Sequence, residues 1–99
     1  MTMNYKIILK KLVVKFLTKL EKSTPREHAK IVLFLKNTLS QHNNPCKLPN
    51  AKHLKGFGEN HYRWRIGEYR IIGIIQNKEC KIIEVVKITK RDNNTYKDL

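Results

Sequence analysis

The sequence has few of the residues that build disulfides, metal centres or membrane spans. Its two cysteines, Cys46 and Cys80, form no CxxC pair, so we expect two free thiols in a reducing cytosol. Its four histidines lack the spacing of metal ligands, so we expect no metal site and no cofactor. No run approaches the ~18 apolar residues of a membrane span, and the first residues lack the apolar core of a secretion signal. We therefore expect a cytoplasmic protein that does not bind membranes.

Acidic residues are also scarce, because 8 Asp and Glu face 21 Lys and Arg, which gives a formal net charge of +13. Lys, Ile and Asn, which all have A/T-rich codons, make up 36 of the 99 residues, so much of the lysine can reflect genome composition. Arginine is more informative, since only five occur and four of them lie in the last 40 residues. These four are Arg63, Arg65, Arg70 and Arg91. A chain of 99 residues predicts one domain spanning residues 1–99.

The first half of the chain predicts a strand over residues 4–9, which are short and β-branched, followed by two helices. Apolar residues recur at helical spacing over 10–22, which predicts an amphipathic helix. Thr24, Pro25 and Glu27 then supply an N-cap, a first-turn proline and a capping box for a second helix that ends near residue 41. The corner between the helices is so short that they must form an antiparallel hairpin. Their predicted buried residues are Leu12, Val13, Phe16, Leu17, Leu20, Ile31, Val32, Leu35, Thr38 and Leu39.

The second half predicts a small sheet. Residues 42–60 hold two prolines and two glycines, which predict a long irregular connection. Three runs with strand character follow, separated by joints of hairpin length, at residues 61–66, 69–76 and 80–88. The polar tail from Thr89 is predicted to have no regular structure. The predicted fold is α+β, with an N-terminal strand and a helical hairpin packed on a small antiparallel sheet that ends in a three-strand meander.

The two-residue turn that begins at Gly67 fixes which residues of the flanking strands face one another. In this register Arg65 opposes Arg70 and Arg63 opposes Ile72. Strand alternation then puts the three arginines on one face of the hairpin. The residues of the other face are expected to pack against the helices, and they are Tyr62, Trp64, Ile66, Tyr69 and Ile71.

The opposed arginines Arg65 and Arg70 predict an anion site. Like charges directly opposite one another destabilise a sheet unless an anion lies between them. Arginine offers a planar fork of donors that suits phosphate oxygens, and it keeps its proton at physiological pH. His61 shares the parity of these arginines and can exchange a proton near neutral pH. Alternatively, Glu68 or Glu84 pairs with the arginines in a purely structural network.

Four motifs run through the second half of the chain. They are Leu54-Lys55-Gly56, the Arg-x-Arg-x-Gly-Glu-Tyr-Arg run that begins at Arg63, Lys90-Arg91, and Tyr96. Together with the predicted element order, they resemble the RelE/ParE superfamily of bacterial toxin–antitoxin modules, and specifically RelE-type toxins, over nearly the whole chain. The resemblance implies a RelE-like fold and the toxin of a type II toxin–antitoxin system. Such a toxin is a ribosome-dependent endoribonuclease that cleaves mRNA in the decoding site, by attack of a ribose 2′-hydroxyl on the adjacent phosphate.

The resemblance also implies roles for single residues. Arg63, Arg65 and Arg70 would bind the phosphate and stabilise the charge that grows on its oxygens. Arg91 would assist the leaving oxygen, and Tyr96 would stack on a base or orient the nucleotide. Further contacts with RNA are expected from Lys52, Lys55, His61 and Lys90.

The expected partners are the ribosome, mRNA and a small acidic antitoxin. A strongly basic domain with solvent-facing apolar residues such as Ile72 and Ile74 favours an acidic, partly disordered segment, which gains charge pairing and order on contact. A helix or strand of this antitoxin is expected to cover the helical hairpin or the sheet edge and to displace the RNA.

Two other functions stay open at this point. A ParE-type toxin that blocks DNA gyrase by binding would share the fold and the hairpin motif without a nuclease site. An inactive homologue would bind an antitoxin and cleave nothing.

Overall fold

The structure, a computed structural model, describes residues 5–42, 44–54, 56, 60–77 and 82–90. The regular elements are β1 (Lys6–Leu9), α1 (Lys11–Ser23), α2 (Pro25–Leu33), β2 (Ala51–His53), β3 (His61–Ile66), β4 (Tyr69–Asn77) and β5 (Ile82–Lys90). A π-helical segment, Phe34–Leu39, continues α2, and a short 3-10 helix, Pro45–Lys47, precedes β2. Within these residues no helix is both long enough and apolar enough to cross a membrane.

The five strands form one mixed sheet in the order β1-β5-β4-β3-β2. The predicted α+β architecture and the antiparallel meander β3-β4-β5 are confirmed. The N-terminal strand β1 joins this sheet at its edge and runs parallel to β5, which makes the sheet mixed. A parallel pair needs a long connection, and here both helices and three strands separate the two partners. The edge strand β2 was predicted as irregular, since three residues are too few to show a periodic pattern.

Strand ends differ from the predictions by one or two residues. β3 has its predicted bounds, whereas β4 extends to Asn77 and β5 runs from Ile82 to Lys90. Thr89, predicted to begin an irregular tail, therefore belongs to β5. Cys80 and the beginning of the predicted first strand lie outside the described residues.

The junction between the helices is as short as predicted, but the predicted capping box is absent. Thr24 alone separates α1 from α2, and Pro25 occupies the first position of α2. The side chain of Thr24 makes no capping hydrogen bond. The backbone N–H of Thr24, which Glu27 would have to accept in the box, donates instead to the carbonyl oxygen of Leu20 at 2.8 Å. The carboxylate of Glu27 lies 3.8 Å from the ammonium group of Lys30.

The π-helical segment changes which residues of the second helix are buried. The α-helix was predicted to run to about residue 41 but ends at Leu33. A π-helix has a wider turn, which shifts the helical phase. Thr38, predicted to be buried, lies in this segment and is exposed. Phe34 begins the segment one turn after the buried Ile31 and is buried, although it was not among the predicted buried residues. In α1 the prediction of a buried Leu12 is also wrong, because its side chain is 75% exposed.

The core lies between the helices and one face of the sheet, and Trp64 of β3 is its largest fully buried side chain. The indole Nε1 donates a hydrogen bond to the carbonyl oxygen of Pro45 at 2.9 Å. Gly73 of β4 makes room for the indole, because a Cβ at this position would lie 2.9 Å from the ring. This packing fixes the orientation of β3, the strand that carries two of the predicted site arginines.

Candidate functional site

The face of the sheet that points away from the helices, here called the open face, carries the predicted arginines. Arg65 pairs with Arg70 across β3 and β4, and Arg63 pairs with Ile72, so the predicted register is confirmed. On its other side Arg63 pairs with Lys52 of β2. The Cβ atoms of directly opposed residues lie about 5 Å apart. The open face therefore holds two like-charged pairs in neighbouring rows.

Two residues of the open face are buried, contrary to the prediction that this face is solvated. Arg70 is 4% exposed and Ile72 is 7% exposed, so Ile72 is not solvent-facing, whereas Ile74 is half-buried. The reason is the strand order, since β4 is the central strand and its residues have neighbours on both sides. Arg70, for example, lies between Arg65 and Thr89. Long cationic side chains can cover such residues with their methylene stems.

A shallow cleft of about 330 Å³ lies beside the arginines of β3. Its lining residues are Pro49, Asn50, Ala51, Arg63, Arg65 and Gly67. The side-chain amide of Asn50 donates to the carbonyl oxygen of Arg65 at 2.8 Å, and the backbone N–H of Arg65 donates to the carbonyl oxygen of Asn50 at 3.1 Å. Asn50 thus holds the backbone of Arg65 in place. Asn50 is not among the predicted site residues, although a proline followed by asparagine is a known turn signal.

Glu68 and Glu84, the carboxylates named above as alternative partners of the arginines, have other partners. Glu68 lies 3.9 Å from the ammonium group of Lys90, and Glu84 accepts a hydrogen bond from Gln76 at 2.7 Å. Arg65 makes no ion pair with any residue that the structure describes. Its guanidinium is exposed beside the cleft and can meet an incoming anion.

The remaining predicted residues divide into three groups. His61 begins β3 on the open face, and its buried Nδ1 has no hydrogen-bond partner in the described part of the chain. Lys90 pairs with Tyr69, so it lies on the helix-bearing face, away from the arginines. The other predicted residues lie outside the described residues, and they are Lys55, Arg91 and Tyr96.

A row of aromatic side chains runs along the helix-bearing face near the site. The ring centroids of His53 and Tyr62 are 5.0 Å apart, and those of Tyr62 and Trp64 are 6.2 Å apart in a stacked arrangement. Burial raises the pKa of the Tyr62 phenol, and the neighbouring Cys46 raises it further. Tyr62 consequently stays neutral at physiological pH and acts as a packing residue behind the arginines.

A second concave surface lies between β1 and the helices. This apolar groove has a volume of about 580 Å³ and is lined by His28, Lys36 and Ser40 together with apolar side chains. The apolar lining residues are Ile7, Leu9, Leu17, Val32 and Leu35. Such a groove can accept apolar side chains of a partner, with the cation of Lys36 available to an acidic group.

The open face combines fixed positive charge with a nearby imidazole. Arginines that the sheet holds in register can bind a phosphate and stabilise negative charge that develops on it. Among the described residues, no group of three His, Cys, Asp or Glu side chains could hold a metal ion. The guanidinium groups and the imidazole of the open face can support anion binding and proton exchange.

The fold is similar to that of chains in two toxin–antitoxin crystal structures. One is the RelBE2 complex from Mycobacterium tuberculosis, with a TM-score of 0.70 and 24% identity over 89% of this chain and 99% of that chain. The other is the RelB–RelE antitoxin–toxin complex from Methanococcus jannaschii, with a TM-score of 0.55 and 26% identity over 84% of this chain and 88% of that chain. No protein-family model and no curated protein matches the sequence. The RelE-like fold that the motifs implied is confirmed.

Proposed function

We propose that this protein is the toxin of a type II toxin–antitoxin system and acts as a ribosome-dependent endoribonuclease on mRNA. The observation that carries the proposal is the direct opposition of Arg65 and Arg70 on the open face, with Arg63 in the neighbouring row beside a cleft. The similarity to chains of two RelBE complexes supports the toxin–antitoxin part of the proposal. The net charge of +13 favours a polyanionic substrate over a neutral one.

In the proposed reaction the 2′-oxygen of a ribose bonds to the adjacent phosphorus while the bond from phosphorus to the 5′-oxygen breaks. Negative charge grows on the two non-bridging oxygens, and the fixed guanidinium groups of Arg63, Arg65 and Arg70 stabilise it. The 2′-hydroxyl must lose a proton, and the leaving 5′-oxygen must gain one. Arginine is a poor base because its guanidinium keeps its proton in proteins, so His61 is the candidate acceptor on this face. By the resemblance, Arg91 assists the leaving oxygen, and Tyr96 stacks on a base or orients the nucleotide.

The proposed antitoxin is a small acidic protein. Both similar structures are complexes of a toxin with an antitoxin. The apolar groove beside β1 offers about 580 Å³ for apolar side chains, and Lys36 offers a charge partner for a carboxylate. An amphipathic acidic segment fits this combination of surfaces, and its binding would neutralise part of the positive charge.

The test is a reconstituted translation reaction in which mRNA ends are mapped by primer extension. Cuts within translated codons are expected with the parent protein and should require ribosomes. Arg65→Gln should slow cleavage about 10²-fold or more, because it removes one cation from the transition state. Arg26→Gln is the matched control, since Arg26 is an exposed arginine of α2 that lies outside the site and its loss changes the net charge equally.

Three results would contradict the proposal or part of it. Intact mRNA together with inhibited DNA supercoiling would replace it with a ParE-type gyrase inhibitor. Intact mRNA, normal supercoiling and tight antitoxin binding would identify an inactive homologue. Equal cleavage by the parent and the Arg65→Gln variant would show that the catalytic site lies elsewhere.

A further inference from the structure

A row of lysines covers the face of α1 that points away from the core. Lys11, Lys15, Lys19 and Lys22 are all exposed, and the side chains that α1 buries are Val13, Leu17 and Leu20. Because an α-helix turns 100° per residue, these four lysines, here called the α1 lysine row, cluster opposite the buried stripe. Lysines four residues apart repel one another, at a cost of a few tenths of a kcal/mol per pair.

The α1 lysine row has no acidic partner in the described part of the protein. Glu21 is the one acidic residue of α1, and its carboxylate lies 3.9 Å from His28. Among the described lysines, Lys30 forms an ion pair with Glu27, and Lys90 forms one with Glu68. No member of the row makes an ion pair with another described residue. The row is therefore a concentrated strip of positive charge that no acidic side chain of the described residues neutralises.

We propose that the α1 lysine row binds the phosphate backbone of structured RNA. Four residues advance a helix by ~6 Å and the whole row by ~16 Å, a length that reaches several consecutive phosphates of one strand. Lysine is suited to such contacts because its ammonium is a point charge on a flexible stem. The proposed acidic antitoxin is assigned to a different surface, the groove beside β1, because that groove adds an apolar lining that the row of lysines lacks.

The row and the open face lie on opposite sides of the domain, because α1 packs on the other face of the sheet. The protein can thus hold folded RNA through α1 while the open face, with Arg65, stays accessible to a flexible strand. The choice of RNA over DNA rests on the proposed function, whereas the assignment of a phosphate-binding surface does not.

The test measures binding to a blunt 20-base-pair RNA duplex by fluorescence anisotropy over a series of salt concentrations. The variant replaces all four lysines of the row by Gln. Its log Kd against log salt should have a slope smaller by about 3, because each phosphate contact contributes about 0.7–0.9. At low salt its affinity should fall at least tenfold.

A matched control replaces four exposed cations outside the row by Gln, which lowers the net charge equally. These cations are Lys6, Arg26, Lys36 and Lys47. The control should lose much less affinity than the row variant. Equal losses in the two variants would overturn the proposal, because total charge would then explain binding, and so would unchanged binding by the row variant. A DNA duplex bound as tightly as RNA would overturn the choice of RNA.

Two further measurements separate this inference from folding defects and from the proposed function. A variant with Arg at all four positions should keep the parent affinity, and circular dichroism should show that every variant folds. Weak binding by the arginine variant would show that a positive charge at these positions is not sufficient, which contradicts the proposal. Duplex binding needs no ribosome and no cleavage, so its loss in the row variant would stand even where the parent cuts no mRNA.

Discussion

The two faces of the β3–β4 hairpin come from alternate residues of the same two strands, yet they have opposite characters. On the helix side Trp64 pairs with Ile71, and both side chains are fully buried. In the next row Arg65 pairs with Arg70, and two positive charges meet on the open face. A slip of one residue would exchange the two faces. One register therefore determines both the stability of the domain and the geometry of its candidate site.

The largest loss of stability is expected when Trp64, the largest side chain of the buried face, is removed. Trp64→Ala deletes the largest buried side chain of the core and its hydrogen bond to Pro45. We expect the free energy of unfolding to fall by about 3–5 kcal/mol, measured by urea denaturation. Tyr62→Ala on the same strand face is the control and should cost less, because Tyr62 is only half-buried. A cost below about 1 kcal/mol for Trp64→Ala would contradict the role assigned to the indole.

The buried face was predictable because its signals are local. Strand alternation and the Gly67 turn gave the register of β3 and β4, and Gly67 has the positive φ of 57° that such a turn favours. The π-helical segment was not predictable, since its residues follow ordinary helical periodicity in the sequence. The parallel pairing of β1 with β5 depends on contacts between the two ends of the chain, which no local pattern encodes.

A smaller loss of stability is expected at Gly73, where the buried face has no room for a side chain. Gly73→Ala would place a methyl group 2.9 Å from the Trp64 ring, with Ile83 at 3.2 Å and a backbone carbonyl at 3.3 Å close by. We expect a cost of about 1–3 kcal/mol from this overpacking. In a Trp64→Leu background the same change should cost less, because the smaller side chain relieves the nearest contact. Additive effects in this double-mutant cycle would show that the indole does not determine the need for glycine.

The strand register of the candidate site was predictable, but the burial of Arg70 and the hydrogen bonds that hold Arg65 were not. The opposition of Arg65 and Arg70 followed from the turn, whereas the burial of Arg70 follows from the central position of β4. The hydrogen bonds that link Asn50 to Arg65 depend on β2, a strand too short to predict. The sequence therefore identified the charged residues of the face and missed the residue that holds one of them.

The smallest effect on stability is expected on the open face itself. Arg65 is exposed and directly opposes Arg70, so Arg65→Gln removes a like-charge repulsion. The free energy of unfolding should therefore stay constant or rise by up to about 1 kcal/mol. Any gain should shrink at high salt, because Arg65 is exposed and salt screens its repulsion with Arg70. Arg65→Glu should gain more than Arg65→Gln, since a carboxylate would face Arg70. A loss above about 1 kcal/mol in Arg65→Gln would mean that Arg65 belongs to a structural network, whereas an unchanged or higher stability combined with lost RNA cleavage would assign it to function.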